Sequence, residues 1–180
     1  MMDSLEHKKY PIGKFEYCGE ITDQHIDEHI ATIKNFPTKL KDAIRNFSDN
    51  MLDTQYRTDG WTVRQLVSHL ADSHMQSFSR FKLALTEDNP TIKPYDEAKW
   101  AELQDCRNEP VKASLMILEG LHCRWTHLLK TMTNKDFERT FFHPEHNKKI
   151  YLRDNVAFYA WHCRHHLAHI ESLKKEKGWA

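Results

Sequence analysis

The side chains with the clearest chemical potential are four histidines near the C-terminus, His162, His165, His166 and His169. The segment around them contains neither glycine nor proline, so it can form an uninterrupted helix. Residues four apart lie on one face of a helix, which brings the Cβ atoms of His162 and His166 to about 5–6 Å from each other. Two imidazoles at that distance can bind one metal ion. The spacing therefore favours a metal-binding pair, although histidines also occur near helix C-termini because of the helix dipole.

The same helix must turn an apolar face towards a core. With His162 at zero on a helical projection, the apolar residues fall at roughly 60° to 140°, His166 near 40°, His169 near −20° and His165 near −60°. The pair therefore flanks the stripe, and His165 turns furthest from it. The stripe consists of Leu152, Val156, Tyr159, Cys163, Leu167 and Ile170. We predict a last helix over about 152–175, ended by Gly178.

A third ligand has to come from elsewhere, and the candidates are His69, His74 and His122. His74 and His122 fall within the apolar stripes of their predicted helices, whereas His69 lies roughly 120° to 140° from the centre of its stripe. His69 and His74 are five residues apart, a rotation of about 140°, so we do not expect both to bind one ion. Periodicity by itself points to His74 and His122.

The start of the chain predicts an arm followed by a helix. Residues 1–21 contain one proline and two glycines, and we expect them to form an extended arm. Thr22 is a suitable N-cap for a first long helix, which continues to about residue 47. Pro37 lies inside this pattern, so the helix should be bent or broken there.

The remainder predicts three more long helices and one small extended insertion. A capping box opens a second helix over about 62–85, residues 95–103 form a short helical turn, and a third helix covers about 110–132. Aromatic and β-branched residues in 139–151 indicate a hairpin or paired extended segments before the last helix. One all-α domain over 1–180, built as a four-helix bundle, is the simplest arrangement of these elements.

Composition excludes several functional classes. The chain has 26 basic and 26 acidic side chains among 180 residues, which gives no electrostatic reason to bind nucleic acid or an anionic membrane. No apolar run is long enough to span a membrane, and residues 1–17 lack the apolar region of a secretory signal. The four cysteines are scattered, so neither a thiolate zinc site nor a disulfide framework is indicated. We expect a cytoplasmic protein.

Several segments carry a family resemblance. The run Gly60-Trp61-Thr62-Val63-Arg64-Gln65-Leu66-Val67-Ser68-His69-Leu70-Ala71-Asp72-Ser73-His74-Met75 resembles the YfiT-like branch of the DinB superfamily. So do residues 80–88, the motif Pro94-Tyr95-Asp96-Glu97 with Trp100, and the segment 161–170, in the same order from about Tyr10 onward. The resemblance implies a four-helix bundle that tends to dimerise and that holds one zinc or nickel ion with three histidines. It implies His69, His162 and His166 as the ligands. The pair His162 and His166 agrees with the helical projection, whereas His69 disagrees with the periodicity argument.

Three neutral imidazoles leave a fourth coordination position open, as in catalytic zinc sites. The resemblance implies first a metal-dependent hydrolase that acts on a small molecule. It implies as an alternative a transferase that joins a bacillithiol-type small thiol to an electrophile. A third possibility is a non-catalytic bundle stapled by its ion, which a fourth protein ligand such as His169 or Asp72 would favour. The sequence identifies no general base.

The other polar residues receive supporting roles. Tyr95 and Trp100 are expected in a lid or pocket wall, or in ordinary loop packing. Asp72 and Asp154 are candidates for orienting ligand rings. Given the resemblance, His74 and His122 are expected as buried, hydrogen-bonded groups of the core or behind the ligands. The two remaining histidines of the last helix are expected at the surface or behind the ligands, with His169 nearer the site. The ion is expected to be zinc first and nickel second, one per chain.

Overall fold

The computed structural model describes residues 4–16 and 21–179. These residues form nine helices and one antiparallel hairpin. In chain order they are α1 (Ser4–Lys9), α2 (Asp23–Ala43), α3 (Asp49–Leu52), α4 (Val63–Thr86), α5 (Glu97–Ala101), α6 (Gln104–Asn108), α7 (Lys112–Thr131), α8 (Asn134–Phe137), β1 (Thr140–His143), β2 (Lys148–Tyr151) and α9 (Leu152–Lys177). The four long helices are α2, α4, α7 and α9, as the apolar periodicity predicts.

The four long helices pack as a bundle in which consecutive helices are not always neighbours. Helix α2 packs against α7 and α9, and α4 packs against the same two helices. Helices α2 and α4 therefore occupy opposite corners, although they are the first two long helices of the chain. The largest side chains buried between the helices are Trp125, Phe36 and Phe81. Among the described residues, no helix combines the length and apolar character needed to cross a membrane.

Local sequence signals set the ends of the long helices. The side chains of Thr22 and Thr62 accept hydrogen bonds from backbone amides of the first turns of α2 and α4, and each forms a capping box. Helix α9 ends at Gly178, which adopts a left-handed conformation with φ 67°. Helix α2 runs without a break through Pro37. The helix is therefore not broken at this proline, which was one of the two outcomes expected there.

Helix α4 differs from the other long helices because its first nine residues have no solvent face. Every residue from Val63 to Ala71 is buried. Helices α5, α6, α7 and α9 all contact α4 and enclose it. An apolar stripe therefore does not indicate which side of this helix faces the functional site, since all sides are covered.

The hairpin forms as predicted from residues 139–151. Strands β1 and β2 pair antiparallel, with Thr140 opposite Tyr151 and His143 opposite Lys148. The segment after α4 joins β1 through two backbone hydrogen bonds, from Phe142 to the Pro90 carbonyl and from Ile92 to the Phe142 carbonyl. The hairpin is thereby held against the end of α4, and it places His143 near the bundle.

The N-terminal arm is only partly extended. The expectation of an extended segment over 1–21 is wrong for Ser4–Lys9, which form α1. This short helix has an acidic residue in its first turn and basic residues in its last, which suits the helix dipole. Lys8 forms an ion pair with Glu176 at 2.8 Å, so α1 lies against the end of α9. The parts of the predicted arm at 1–3 and 17–20 lie outside the described residues.

Two glycines, one inside a long helix and one at the end of another, should change the stability of the fold in opposite directions when replaced by alanine. Gly120 lies inside α7 with open space around the position of a Cβ, so Gly120→Ala should stabilise the fold by about 0.5–1 kcal/mol. Gly178 has positive φ, so Gly178→Ala should destabilise it by about 1–2 kcal/mol. Urea denaturation of both variants measures the two changes. If both variants changed the free energy of unfolding in the same direction, the placement of Gly120 inside α7 and of Gly178 at the end of α9 would be contradicted.

Candidate metal centre

Three histidines from two helices converge at one point of the bundle. His69 of α4 and His162 and His166 of α9 each place a ring nitrogen within 4.8 Å of the others. The Nε2 atoms of His162 and His166 are 3.2 Å apart, and the His69 ring centroid lies 5.5 Å and 5.2 Å from those two rings. The structure therefore brings together the three residues that the family resemblance indicates as ligands.

Successive polar contacts between α4 and α9 set the register of these two helices. Asn155 Nδ2 donates to Ser77 Oγ at 2.9 Å, and one turn away Ser73 Oγ and Tyr159 Oη are 3.1 Å apart. From the first contact to the second, the residue number falls by four in α4 and rises by four in α9, so the two helices are antiparallel. The next step on α4 is His69, which faces His162 and His166. The buried hydrogen bonds thus align the histidines.

All three rings are buried and uncharged at neutral pH. The exposed fractions are 4% for His69 and 7% for both His162 and His166. Burial lowers the pKa of His69 to about 4, and it lowers the pKa values of His162 and His166 well below 6.5. A neutral imidazole keeps one nitrogen lone pair, which is the form that binds a metal ion.

The arrangement fits a divalent ion. Zinc binds histidine nitrogen at about 2.0–2.1 Å, so two nitrogens at tetrahedral positions lie about 3.4 Å apart. The 3.2 Å between the Nε2 atoms of His162 and His166 is close to that value. In the described part of the chain, no further histidine, cysteine or carboxylate joins the three-residue group. The donor set therefore leaves a coordination position that the described side chains do not fill.

His74 and His122, which periodicity favours as ligands, do not belong to this group. His74 Nε2 lies 3.1 Å from His162 Nδ1, and His74 Nδ1 lies 2.7 Å from His122 Nε2. Both are fully buried and hydrogen-bonded, and His74 stands behind a candidate ligand. The periodicity argument fails because α4 is enclosed from Val63 to Ala71, which lets His69 face a site away from the apolar stripe.

The second histidine pair of α9 lies beside the first. His165 and His169 have their Nε2 atoms 3.1 Å apart, and both are buried. The His165 ring stacks on Trp161 with centroids 4.5 Å apart, and the His169 ring lies 4.4 Å from that of Tyr56. Of the two expected positions, the surface is therefore excluded for both, because the rings of Trp161 in α9 and of Tyr56 in the loop before α4 cover them.

The remaining predicted residues lie around the site or away from it. Asp72 accepts a hydrogen bond from Cys106 Sγ at 3.7 Å and makes none to the three histidines, so it does not orient a ligand ring. Burial raises the pKa of Asp72 to about 6. Tyr95 lines the cavity described below, and Trp100 packs on Tyr95 with ring centroids 4.6 Å apart. Asp154 lines a different cavity of about 370 Å³.

The three histidines open onto a cavity of about 800 Å³. Its wall combines the C-terminal end of α1, the loop before α4, the start of α5, the hairpin and α9. Sequence analysis missed several lining residues, among them Ser73, Arg80 and His143. Ser73 and Arg80 follow His69 by four and eleven residues, which is the spacing of one helix face, so this signal was present in the sequence.

The site's residues lie within a segment that identifies the family. Residues 32–170, more than half of the chain, match the DinB superfamily. The chain belongs to the DinB superfamily. The fold and family expected from the sequence motifs are therefore confirmed.

Full-length relatives and a solved structure are similar along almost the whole chain. A protein of Oceanobacillus iheyensis named "Putative metal-dependent hydrolase" is 52% identical over 173 residues, which are 96% of this chain and 99% of that protein. "Putative metal-dependent hydrolase YfiT" of Bacillus subtilis is 47% identical over 171 residues, 95% and 96% of the two chains. The solved structure of this YfiT, described as having "an unusual four-helix bundle topology", matches with a TM-score of 0.94 at 46% identity. The match includes 97% of this chain and 99% of the YfiT chain.

The buried histidines should make the metal-free protein sensitive to acid. An unfolded histidine takes up its proton near pH 6.5, whereas burial holds the pKa values of His69 and His122 at about 4. Between these values the unfolded chain binds more protons, so the free energy of unfolding falls as the pH falls. The loss is up to about 1.4 kcal/mol per pH unit for each such histidine.

Urea denaturation at pH 7.5, 6.0 and 5.0 measures this dependence. His122→Gln should reduce the slope, since it removes one buried imidazole. His127→Gln is the matched control on the same helix, because His127 is exposed in the folded protein. A stability that stays constant from pH 7.5 to 5.0 would contradict the neutral state of these rings.

Proposed function

We propose that this protein is a metal-dependent hydrolase of a small molecule and that His69, His162 and His166 hold its ion. The observation that supports this most is the opening of three neutral, convergent imidazoles onto a cavity of about 800 Å³. A structural zinc site is normally closed by four protein ligands, whereas a catalytic one keeps a position for water or substrate. The names of its full-length relatives agree with this class.

Zinc is the first expectation for the ion and nickel the second, because imidazole sites bind both. When bound, such an ion supplies a Lewis acid and brings the pKa of a water molecule to near neutrality. The protein's own contribution is to keep the three rings neutral and oriented. The Trp61 ring lies 4.7 Å from His69, and the Phe158 ring lies 5.9 Å from His162. These aromatic side chains limit the access of bulk water to the ligand rings.

Arg80 offers a charged hydrogen-bond donor to a substrate in the cavity. Arg80 Nε and His143 Nδ1 are buried without a partner among the described residues. The four carboxylate residues of the cavity wall are exposed, whereas Arg80 is half-buried, so solvent screens their charges more than that of Arg80. The guanidinium of Arg80 is half-buried in the cavity wall, and its positive charge there attracts an anionic group. We therefore propose that the substrate carries an anionic group bound near Arg80.

Chelation separates catalysis from stapling. A bound ion stabilises the folded state by mass action in either case, so its removal should lower the melting temperature. Because the bundle has its own apolar core, we expect the metal-free protein to keep its helical circular dichroism at 25 °C and to lose turnover. Unfolding on chelation at 25 °C would instead favour a non-catalytic staple.

An activity screen separates the reaction classes. The zinc- and nickel-loaded protein is tested on esters and amides alone, and then on electrophiles with a small thiol such as cysteine. We expect hydrolysis without thiol. Turnover that requires the thiol, with no ester or amide cleaved, would contradict hydrolysis and favour thiol transfer.

Metal content tests the ligand set directly. His162→Ala should lower zinc affinity by more than the ten- to hundredfold that is typical when a group merely orients a ligand. Competition with a chromogenic chelator measures the affinity, and His127→Ala is the control because that ring is exposed on α7. One zinc per chain retained after combined replacement of all three histidines would overturn the assignment.

Binding of small anions tests the role of Arg80. In the metal-free protein we expect glutarate to bind more tightly than its neutral analogue glutaramide, and Arg80→Gln to weaken glutarate by about ten- to hundredfold. Arg124→Gln is the matched control. Arg124 lies over the ring of Phe78, as Arg80 lies over that of Phe141, but Arg124 is not part of the cavity wall. NMR titration measures both affinities. Equal binding of the two ligands would exclude an anion site.

A further inference from the structure

One chain of buried hydrogen bonds connects all four long helices to a candidate ligand. It starts at the Ile33 carbonyl of α2, which lies 2.6 Å from His122 Nδ1 of α7. His122 Nε2 is 2.7 Å from His74 Nδ1 of α4, and His74 Nε2 is 3.1 Å from His162 Nδ1 of α9. Three imidazoles are thus joined nitrogen to nitrogen, and the last of them belongs to the metal centre.

The chain begins at a carbonyl that its own helix leaves free. In α2, the carbonyl of Ile33 would normally accept a hydrogen bond from the amide of the residue four positions later. That residue is Pro37, which has no amide hydrogen. Because the freed carbonyl is buried, it needs another donor, and His122 Nδ1 supplies one. The proline in the middle of α2 therefore explains why the chain starts at this point.

The direction of the hydrogen bonds follows from this start. A carbonyl oxygen can only accept, so His122 carries its proton on Nδ1, and its Nε2 accepts from His74 Nδ1. A neutral His74 then has a bare Nε2, which accepts from His162 Nδ1. A neutral His162 with its proton on Nδ1 has a lone pair on Nε2. This Nε2 is the atom that faces His166.

The surroundings of the rings support the neutral state on which this direction depends. His74 and His122 are 0% and 1% exposed. The Phe36 ring packs against both, with centroids 5.6 Å and 5.7 Å away, and the Trp125 ring lies 6.0 Å and 5.9 Å from them.

We propose that His122 and His74 are positioning residues, which hold His162 in the tautomer with Nδ1 protonated and thereby direct its Nε2 lone pair at the metal ion. The inference rests on the proposed metal site and adds two residues to it. His166 differs in this respect, because its Nδ1 is buried without a hydrogen-bond partner in the described residues. The two ligands of α9 are therefore not equivalent, and His162 is the pre-oriented one.

A purely space-filling role for the two rings is the alternative, and matched variants distinguish it. His122→Leu fills the space but offers no acceptor to His74. His122→Gln can place its side-chain oxygen near the position of Nε2 and keep that acceptor. Phe36→Leu changes the packing against both rings and leaves the hydrogen-bonded atoms in place. The three variants thus separate the loss of an acceptor from the loss of packing.

Two measurements read the result without turnover. Nitrogen-15 NMR of the metal-free protein at pH 7.5 assigns the tautomer of each histidine, and we expect His162 to carry its proton on Nδ1. In His122→Leu we expect a mixture of the two tautomers for His162 and zinc affinity reduced by about ten- to hundredfold, the range typical for groups that orient a metal ligand. His122→Gln and Phe36→Leu should stay within about threefold of the original affinity.

The proposal is overturned if His162 in the unsubstituted, metal-free protein carries its proton on Nε2, an outcome that does not depend on any variant folding. It is also overturned if Phe36→Leu lowers zinc affinity as much as His122→Leu, because packing would then suffice. A wrong ligand assignment gives a different result. In that case His162→Ala still binds zinc, whereas the tautomer of His162 measured in the unsubstituted protein stays the same.

Discussion

The constraint on which this structure depends is the burial of neutral imidazoles in the interior of a helical bundle. A buried polar nitrogen needs a hydrogen-bond partner, and its cost without one is comparable to that of a large core mutation. His122, His74 and His162 satisfy one another and end on a backbone carbonyl that Pro37 leaves free. The arrangement is uninterrupted only if the four long helices keep their mutual positions, so the packing of the bundle and the orientation of the candidate ligand are coupled.

The same constraint explains why the site lies where it does. Helices α4 and α9 are aligned by the contacts of Ser77 with Asn155 and of Ser73 with Tyr159, and His69 meets its partners one step further along. On one side of these rings lies the closed core with His74, and on the other side lies the cavity. One face of His162 is therefore held by the protein, while the opposite nitrogen remains available for chemistry.

Regular features of the fold could be predicted from the sequence, and irregular ones could not. The four long helices, the caps at Thr22 and Thr62, the hairpin and the stop at Gly178 all follow from local signals. Helix α1 was missed because its position depends on docking against the end of α9. The sequence left open whether α2 continues through Pro37, since only the surrounding bundle supplies the donor that compensates for the lost hydrogen bond.

For the candidate site, the sequence by itself determined the i, i+4 pair His162 and His166, and family motifs added His69. Periodicity pointed instead to His74 and His122, because an apolar stripe records burial and does not distinguish a ligand from a group that supports one. Only the tertiary structure showed which of these histidines lie together. It encloses α4 on all sides, turns His69 to the cavity and places His74 behind His162. The physical reason is that helical spacing specifies directions within one helix, whereas the facing atoms come from helices far apart in the chain.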